Sequence, residues 1–182
     1  MRIIKKLILA VGLVIILFFI TMMVLVSMLV ASNKKEQEDV EKVIGTGEKK
    51  ILILYQDSVS DIVSRTLNRI MESIDESDCT ITINHPRSDS TYQVSDYDLV
   101  VFLTPVYAGH ISEPLQNYAK SQDFTDVNVV NIITGKREPA SEIELLEGCI
   151  KNPKSMTNMK IKEPDVETIQ NIHTLLMEDL YK

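Results

Sequence analysis

The pattern of apolar and polar positions separates an apolar N-terminal stretch from a longer region in which two kinds of pattern alternate. Leu7 to Ala31 form 25 consecutive residues without a charge or a proline. A bilayer core about 30 Å thick needs about 20 apolar residues in a helix that rises about 1.5 Å per residue. The pattern therefore predicts a transmembrane anchor at residues 7–31, preceded by a short basic tail at residues 1–6.

A cleaved secretory signal peptide is the alternative interpretation of this stretch, because Val30, Ala31 and Ser32 are small residues where a signal peptidase could cut. The apolar region of a signal peptide is usually about 7–15 residues long, which is shorter than the stretch found here. The short basic tail would be costly to move across a membrane. The prediction is a single-pass cell-membrane protein whose domain lies on the extracytoplasmic side.

Strand patterns begin after a polar segment at residues 32–47, which is predicted to be a linker. Apolar runs without alternation follow it, and such runs are typical of strands buried on both faces of a parallel sheet. A short β-type segment and a weaker strand pattern complete the set. The predicted strands are Ile51–Tyr55, Thr80–Ile83, Leu99–Leu103, Val127–Thr134 and Ser155–Ile161.

Helical spacing alternates with these strands. Apolar residues recur every three or four positions from Ile62 to Ile74, with Arg65 and Arg69 on the opposite face. Ser58 or Ser60 is expected to cap this helix. Further helices are predicted at Ser112–Lys120, at Ser141–Cys149 and after Asp165, which is expected to act as the cap of the last helix.

Strands and helices therefore alternate five times, which predicts one α/β domain at residues 48–182. Right-handed crossovers between parallel strands give a five-stranded parallel sheet with helices on both faces. In such a sheet, ligands bind outside the carboxyl ends of the strands, where the winding direction reverses. The candidate ligand loops are thus residues 56–61, 104–110 and 135–139.

The charge of the predicted domain narrows the classes of partner. The domain carries 13 basic and 22 acidic residues, and such an acidic surface argues against binding of nucleic acid. Cys79 and Cys149 form no CxxC motif and no cluster with histidines, so no metal site is predicted. The sequence leaves open whether the two cysteines form a disulfide.

The second candidate loop and the strand before it resemble the flavodoxin family. Residues 97–109 read YDLVVFLTPVYAG, which is similar to the family's strand of type Y-D-x-V/I followed by G-T/S-P-V/I-Y/W and a small residue. Pro114 matches the family's habit of placing a proline where the next helix starts. The resemblance covers about residues 48–182, and it implies a flavodoxin-like fold with FMN held by the three loops.

The resemblance also implies roles for individual residues. Tyr107 would lie against or beside the isoalloxazine ring, and Gly109 would let the backbone approach the flavin closely. Lys136 and Arg137 would lie at its second edge, or else be solvated loop charges. The cofactor-binding residues implied are Gln56, Ser58, Ser60, Thr104, Pro105, Val106, Tyr107, Ala108, Gly109 and Gly135. The alternative interpretation of the Thr104–Gly109 segment is an ordinary strand-to-helix turn with a packed tyrosine.

The phosphate loop departs from the family pattern. The family has a loop of the type S/T-x-T-G-x-T after its first strand, whereas this chain has Val59 at the glycine position and Asp61 at a hydroxyl position. Two like charges about 4 Å apart repel by about 4 kcal/mol at an effective dielectric constant of about 20, and Asp57 adds a second negative charge. As an alternative, both acids can be interpreted as helix-capping residues.

Two functions follow. The first is a membrane-anchored FMN-binding protein that transfers electrons to a redox protein partner, or that carries out flavin-dependent reduction as an oxidoreductase. The second is a degenerate flavodoxin-like domain without cofactor that acts as a membrane-tethered binding or scaffolding module. A phospho-acceptor receiver domain is set aside, because the strand at Leu99–Leu103 is followed by Thr104 and Pro105 and not by an aspartate.

Overall fold

The apolar stretch at the N-terminus forms one long helix. A computed structural model describes residues 2–75, 77–135 and 141–181. Helix α1 (Arg2–Ser32) contains the predicted anchor, and its apolar part has a mean hydropathy of 3.1, with none of the most apolar window buried inside the protein. Among the described residues it is the one helix long and apolar enough to cross a membrane.

A six-stranded sheet lies at the centre of the domain. Its strands are β1 (Lys42–Ile44), β2 (Lys49–Tyr55), β3 (Cys79–Asn84), β4 (Leu99–Pro105), β5 (Asn128–Thr134) and β6 (Ser155–Ile161). The spatial order is β1-β3-β2-β4-β5-β6. The five strands β3, β2, β4, β5 and β6 are parallel to one another. The winding direction reverses between β2 and β4, so the predicted α/β class with five parallel strands is confirmed.

The sixth strand comes from the segment predicted as a linker. Strand β1 pairs antiparallel with β3, with Lys42 opposite Ile83 and Ile44 opposite Ile81. The prediction of a five-stranded sheet and a polar linker through residue 47 is corrected here, because residues 42–44 form an edge of the sheet. Only one of these three residues is even half-buried, so the strand lacks an apolar run.

Helices cover both faces of the sheet, and they are α2 (Ile62–Ser73), α3 (Glu113–Ser121), α4 (Ser141–Glu147) and α5 (Val166–Leu180). Helices α2 and α5 pack on one face, and α3 and α4 pack on the other. Buried strand residues alternate between the two cores, as Ile51 and Leu52 do. Cys79 and Cys149 are free and belong to opposite cores, so the sheet separates the two thiols.

The N-cap of α5 is the residue predicted from the sequence, whereas the N-cap of α2 is not the predicted serine. Asp165 caps α5 as predicted, since its carboxylate accepts a hydrogen bond from the Thr168 N–H at 2.8 Å. Neither Ser58 nor Ser60 caps α2, so that prediction is wrong: Asp61 is the N-cap residue and makes no side-chain capping bond. The Ser58 hydroxyl is instead hydrogen-bonded to the Ser60 carbonyl within the loop.

Asp98 ties the amino end of β2 to the turn that precedes β4. Its carboxylate accepts hydrogen bonds from Lys49 Nζ at 3.0 Å and from the Lys50 N–H at 2.8 Å. Burial opposes ionisation of this group, but the hydrogen bonds from Lys50 and Lys49 outweigh it. They hold the pKa of Asp98 below its ordinary value.

We expect Asp98→Asn to lower the free energy of unfolding at pH 7 by less than about 1 kcal/mol, because water screens this half-exposed ion pair. The pKa of Asp98 is lower in the folded than in the unfolded state. The difference in free energy of unfolding between wild type and variant is therefore complete above about pH 4, and it is lost as the pH falls through the lowered pKa. Urea unfolding of both proteins between pH 7 and pH 2 measures this difference. A difference that stays constant over that range would contradict the assignment.

Candidate functional site

A cavity of about 800 Å³ lies at the carboxyl end of the sheet, beside the point where the winding reverses. The segments that follow β2, β4 and β5 form its walls, together with the end of β6 and one residue of α1. Its lining comprises Val26, Ser60, Asp61, Ile62, Arg65, Pro105, Val106, Tyr107, Ala108, Gly109, Thr134, Gly135, Ser141, Glu142, Lys160 and Glu163. This is the position at which doubly wound sheets bind their ligands.

Most of the predicted cofactor-binding residues meet at this cavity. Seven of the ten belong to its lining, namely Ser60, Pro105, Val106, Tyr107, Ala108, Gly109 and Gly135. They come from three separate loops that the sheet brings together. The structure does not place Gln56, Ser58 or Thr104 in the lining.

Gln56 and Thr104 are buried beneath the loops. Gln56 Oε1 accepts a hydrogen bond from the Ser112 hydroxyl at 3.0 Å, and its Nε2 donates to the carbonyls of Ser32 and Lys35 at 3.4 Å. Thr104 Oγ1 accepts from the Ser112 N–H at 3.2 Å. Both residues therefore fix the loops around the cavity from inside the domain.

The turn after β4 has a backbone suited to close approach by a flat ligand. Tyr107 and His110 exchange two backbone hydrogen bonds of 3.0 Å. Between them Ala108 has a φ of 51° and Gly109 a φ of 81°, and positive φ at both central positions is characteristic of a type I′ turn. The hydrogen bonds of the turn do not use the N–H groups of Ala108 and Gly109, which leaves these donors for a polar ligand edge.

Two N–H groups of the loop after β2 donate hydrogen bonds to uncharged oxygen atoms of other segments of the chain. The Val59 N–H donates to the Tyr107 hydroxyl at 2.6 Å, and the Asp57 N–H donates to Gln37 Oε1 at 2.8 Å. Val59 is not among the residues with positive φ, so its branched side chain causes no backbone strain at the family's glycine position. Two N–H groups of the loop therefore already have acceptors.

The first turn of α2 carries opposed charges beside this loop. Arg65 Nε lies 3.2 Å from Asp61 Oδ2, and the other end of the guanidinium lies 3.1 Å from Glu163 Oε2. One cation is therefore shared between two carboxylates, and the three side chains carry a net charge of about −1. The guanidinium reduces the repulsion that Asp61 exerts on an anion without cancelling it.

Comparison with known proteins gives the fold. No family model and no curated protein matches the sequence. Flavodoxin 1 from Bacillus cereus matches with a TM-score of 0.53 and 13% identity, over 74% of this chain and 98% of that chain. A short-chain flavodoxin associated with a bacterial microcompartment matches with a TM-score of 0.53 and 14% identity, over 73% of this chain and 97% of that chain. An archaeal flavodoxin matches with a TM-score of 0.52 and 10% identity, over 72% of this chain and 96% of that chain.

The domain is flavodoxin-like. Identities of 10–14% establish the fold alone, because one fold supports many functions. Within the flavodoxin-like domain, the cavity lies where the first two predicted loops meet Gly135, the first residue of the third. Lys136 and Arg137 of the third loop lie outside the described residues, so their place beside a flavin stays a prediction.

The flavodoxin-like domain has one feature in its cavity wall that the sequence did not reveal. Glu142 and Lys160 form an ion pair with an N–O distance of 3.4 Å, and their side chains are only 3% and 12% exposed. Nothing in the sequence connects two positions 18 residues apart on different elements. Arg65 could have been found, because it follows Asp61 by four residues on a predicted helix.

Proposed function

We propose that this chain is a membrane-anchored flavodoxin-like protein that binds a flavin in the cavity and transfers electrons. The observation that carries this proposal is the convergence of seven predicted residues on one cavity at the reversal point of a flavodoxin-like sheet. FMN is the flavin that the family resemblance implies. When bound, it would supply reversible electron transfer.

The isoalloxazine ring would lie in the part of the cavity that residues 106–109 and Gly135 line. Tyr107 supplies an aromatic side chain, and aromatic rings favour offset or edge-to-face contacts with flat ligands. The backbone N–H groups of Ala108 and Gly109 would donate to the polar edge of the flavin. Val106 and Gly135 would border the ring from the ends of the neighbouring strands.

The part of the cavity beside the first turn of α2, where the phosphate would lie, suits its ligand group less well. The first turn of α2 offers backbone N–H groups and the positive end of a helix dipole, which favour an anion. Asp57 and Asp61 oppose an anion there, and Tyr107 and Gln37 already accept hydrogen bonds from the loop. We therefore expect the ring to supply most of the binding free energy and the phosphate to supply little.

Membrane anchoring by α1 is part of the same proposal. A helix of this length and hydropathy suits a single span, and the basic residues before it favour a cytoplasmic N-terminus. The domain would then lie on the extracytoplasmic side, where a redox protein partner would exchange electrons with it. The oxidoreductase class is the only enzyme class that this proposal allows.

A module without cofactor is the second candidate function. It is favoured by the hydrogen bonds of Tyr107 and Gln37 to the loop after β2, since they use donors that a flavin phosphate would need. The chain would then be a membrane-tethered binding or scaffolding protein.

We expect Tyr107→Ala to weaken FMN binding at least tenfold, because the variant loses the aromatic contact with the ring. Tyr181→Ala is the matched control, since Tyr181 is an exposed tyrosine outside the cavity lining. Titration of the full chain in detergent micelles, followed by flavin fluorescence, measures both affinities. Equal affinities for the two variants would contradict the role of Tyr107, and no binding by the wild type would favour the module without cofactor.

A further inference from the structure

The chain passes from the apolar helix into the domain without a spacer. Helix α1 ends at Ser32, and the next residue, Asn33, is only 1% exposed. The Asn33 side-chain amide donates to the His110 carbonyl at 2.8 Å and to the Pro105 carbonyl at 3.5 Å. Its own carbonyl accepts from the Glu113 N–H at 2.8 Å. One residue after the helix, the chain is therefore fixed to the turn that borders the cavity.

The residues that follow remain on the carboxyl end of the sheet. The Glu36 carboxylate accepts from the Ser88 N–H at 2.9 Å, and the Asp39 carboxylate accepts from Asn84 Nδ2 at 2.8 Å. Both partners lie at or after the end of β3. The segment predicted as a linker is thus hydrogen-bonded to the domain at Asn33, Glu36 and Asp39, which ties the domain to the end of α1.

The cavity and its loops lie on the side from which α1 leaves the domain. Val26 of α1 lines the cavity, and it precedes Ser32 by six residues, or about 9 Å along the helix axis. Val59, in the loop after β2, is a 72% exposed apolar side chain near the same opening. An exposed valine and a cavity bordered by the membrane helix both suit an interface with lipid.

We infer that the carboxyl end of the sheet, with residues 57–61 and 106–110, lies against the headgroup layer of the bilayer. The cavity then opens towards the membrane surface, and any molecule that reaches it approaches along that surface. Lys34 and Lys35 follow the helix and are exposed, so they would lie among lipid phosphates. The exposed carboxylates of Asp57 and Asp61 would lie beside the ammonium groups of zwitterionic lipids. This inference rests on the proposed anchoring by α1, but it does not depend on which ligand the cavity binds.

Site-specific labelling of the full chain in vesicles tests the orientation. Val59→Cys places a fluorophore at the carboxyl end of the sheet, and Ser95→Cys places one at the opposite end, before β4. The seven residues of β4 span about 20 Å at about 3.3 Å per residue, so the two labels differ in depth by about that distance. The native cysteines are buried, and unsubstituted protein carried through the same labelling gives the background.

The vesicles contain the zwitterionic lipid phosphatidylcholine, with a headgroup spin label as the quencher. We expect the label at residue 59 to be quenched at least threefold more strongly than the label at residue 95. Ser60→Cys is a second probe at the same end, and it should behave like Val59→Cys. Equal quenching at both ends in protein that floats with the vesicles would overturn the inference and leave the anchor intact. Protein that does not float with the vesicles would overturn the anchor as well.

Discussion

Replacing Asp61 by threonine is expected to strengthen FMN binding at least tenfold and to leave riboflavin binding unchanged. Two charges about 4 Å apart repel by about 4 kcal/mol at an effective dielectric constant of about 20. Part of this repulsion is already offset, because Arg65 lies 3.2 Å from Asp61. A tenfold gain corresponds to about 1.4 kcal/mol, which is well within the remaining repulsion. The substitution also removes one of the two carboxylates paired with Arg65, which keeps its contact with Glu163.

Riboflavin has the same ring as FMN and lacks the phosphate, so it reports on the cavity without the charge. Asp96→Thr is the matched control, since it removes an exposed carboxylate outside the cavity lining and changes the net charge equally. Flavin fluorescence titrations of the full chain in detergent micelles give all the affinities. Repulsion of the phosphate by Asp61 is contradicted if Asp96→Thr strengthens FMN binding as much as Asp61→Thr does, or if riboflavin binding rises in parallel.

Replacing Lys160 by methionine is expected to lower the free energy of unfolding by about 3–5 kcal/mol. The substitution leaves the Glu142 carboxylate without its cation in a nearly fully buried position. Removing one partner of a buried ion pair has this cost, because the remaining charge is poorly solvated. The double variant Glu142→Leu/Lys160→Met buries no charge and should recover most of the loss.

Lys154→Met is the control for this experiment, because Lys154 is exposed and its replacement should change stability by no more than about 0.5 kcal/mol. Urea unfolding followed by circular dichroism gives the four free energies. Equal losses for Lys160→Met and Lys154→Met, or a double variant no more stable than Lys160→Met, would show that the pair does not behave as a buried ion pair.

Much of the fold could be predicted because its strands have a strong local signal. Apolar runs without alternation indicated three of the parallel strands, and Ser155–Ile161 was predicted with the bounds that β6 has. Strand β1 was missed because a three-residue edge strand with little burial carries no apolar run. Serines and acids were both candidates for the cap of α2, because hydroxyl residues and acids are similarly favoured at that position, and only the backbone decides for Asp61.

Only the part of the candidate site that carries a sequence motif could be predicted. The segment around Tyr107 was found because its residue types are unusual together. A motif gives positions along the chain but not the direction of side chains, so Gln56 and Thr104 were expected at the ligand and instead point into the domain. The roles of Asn33 and Lys160 depend on contacts between distant segments, and no local pattern indicates them.

Flavin binding by this chain is tested most directly by an FMN titration of the full chain in lipid nanodiscs, followed by flavin fluorescence. We expect saturable binding of one FMN per chain, as the proposed function requires, with a dissociation constant tighter than about 100 μM that weakens at least tenfold in Tyr107→Ala. A wild-type dissociation constant weaker than about 1 mM, equivalent to only about 4 kcal/mol, would contradict it.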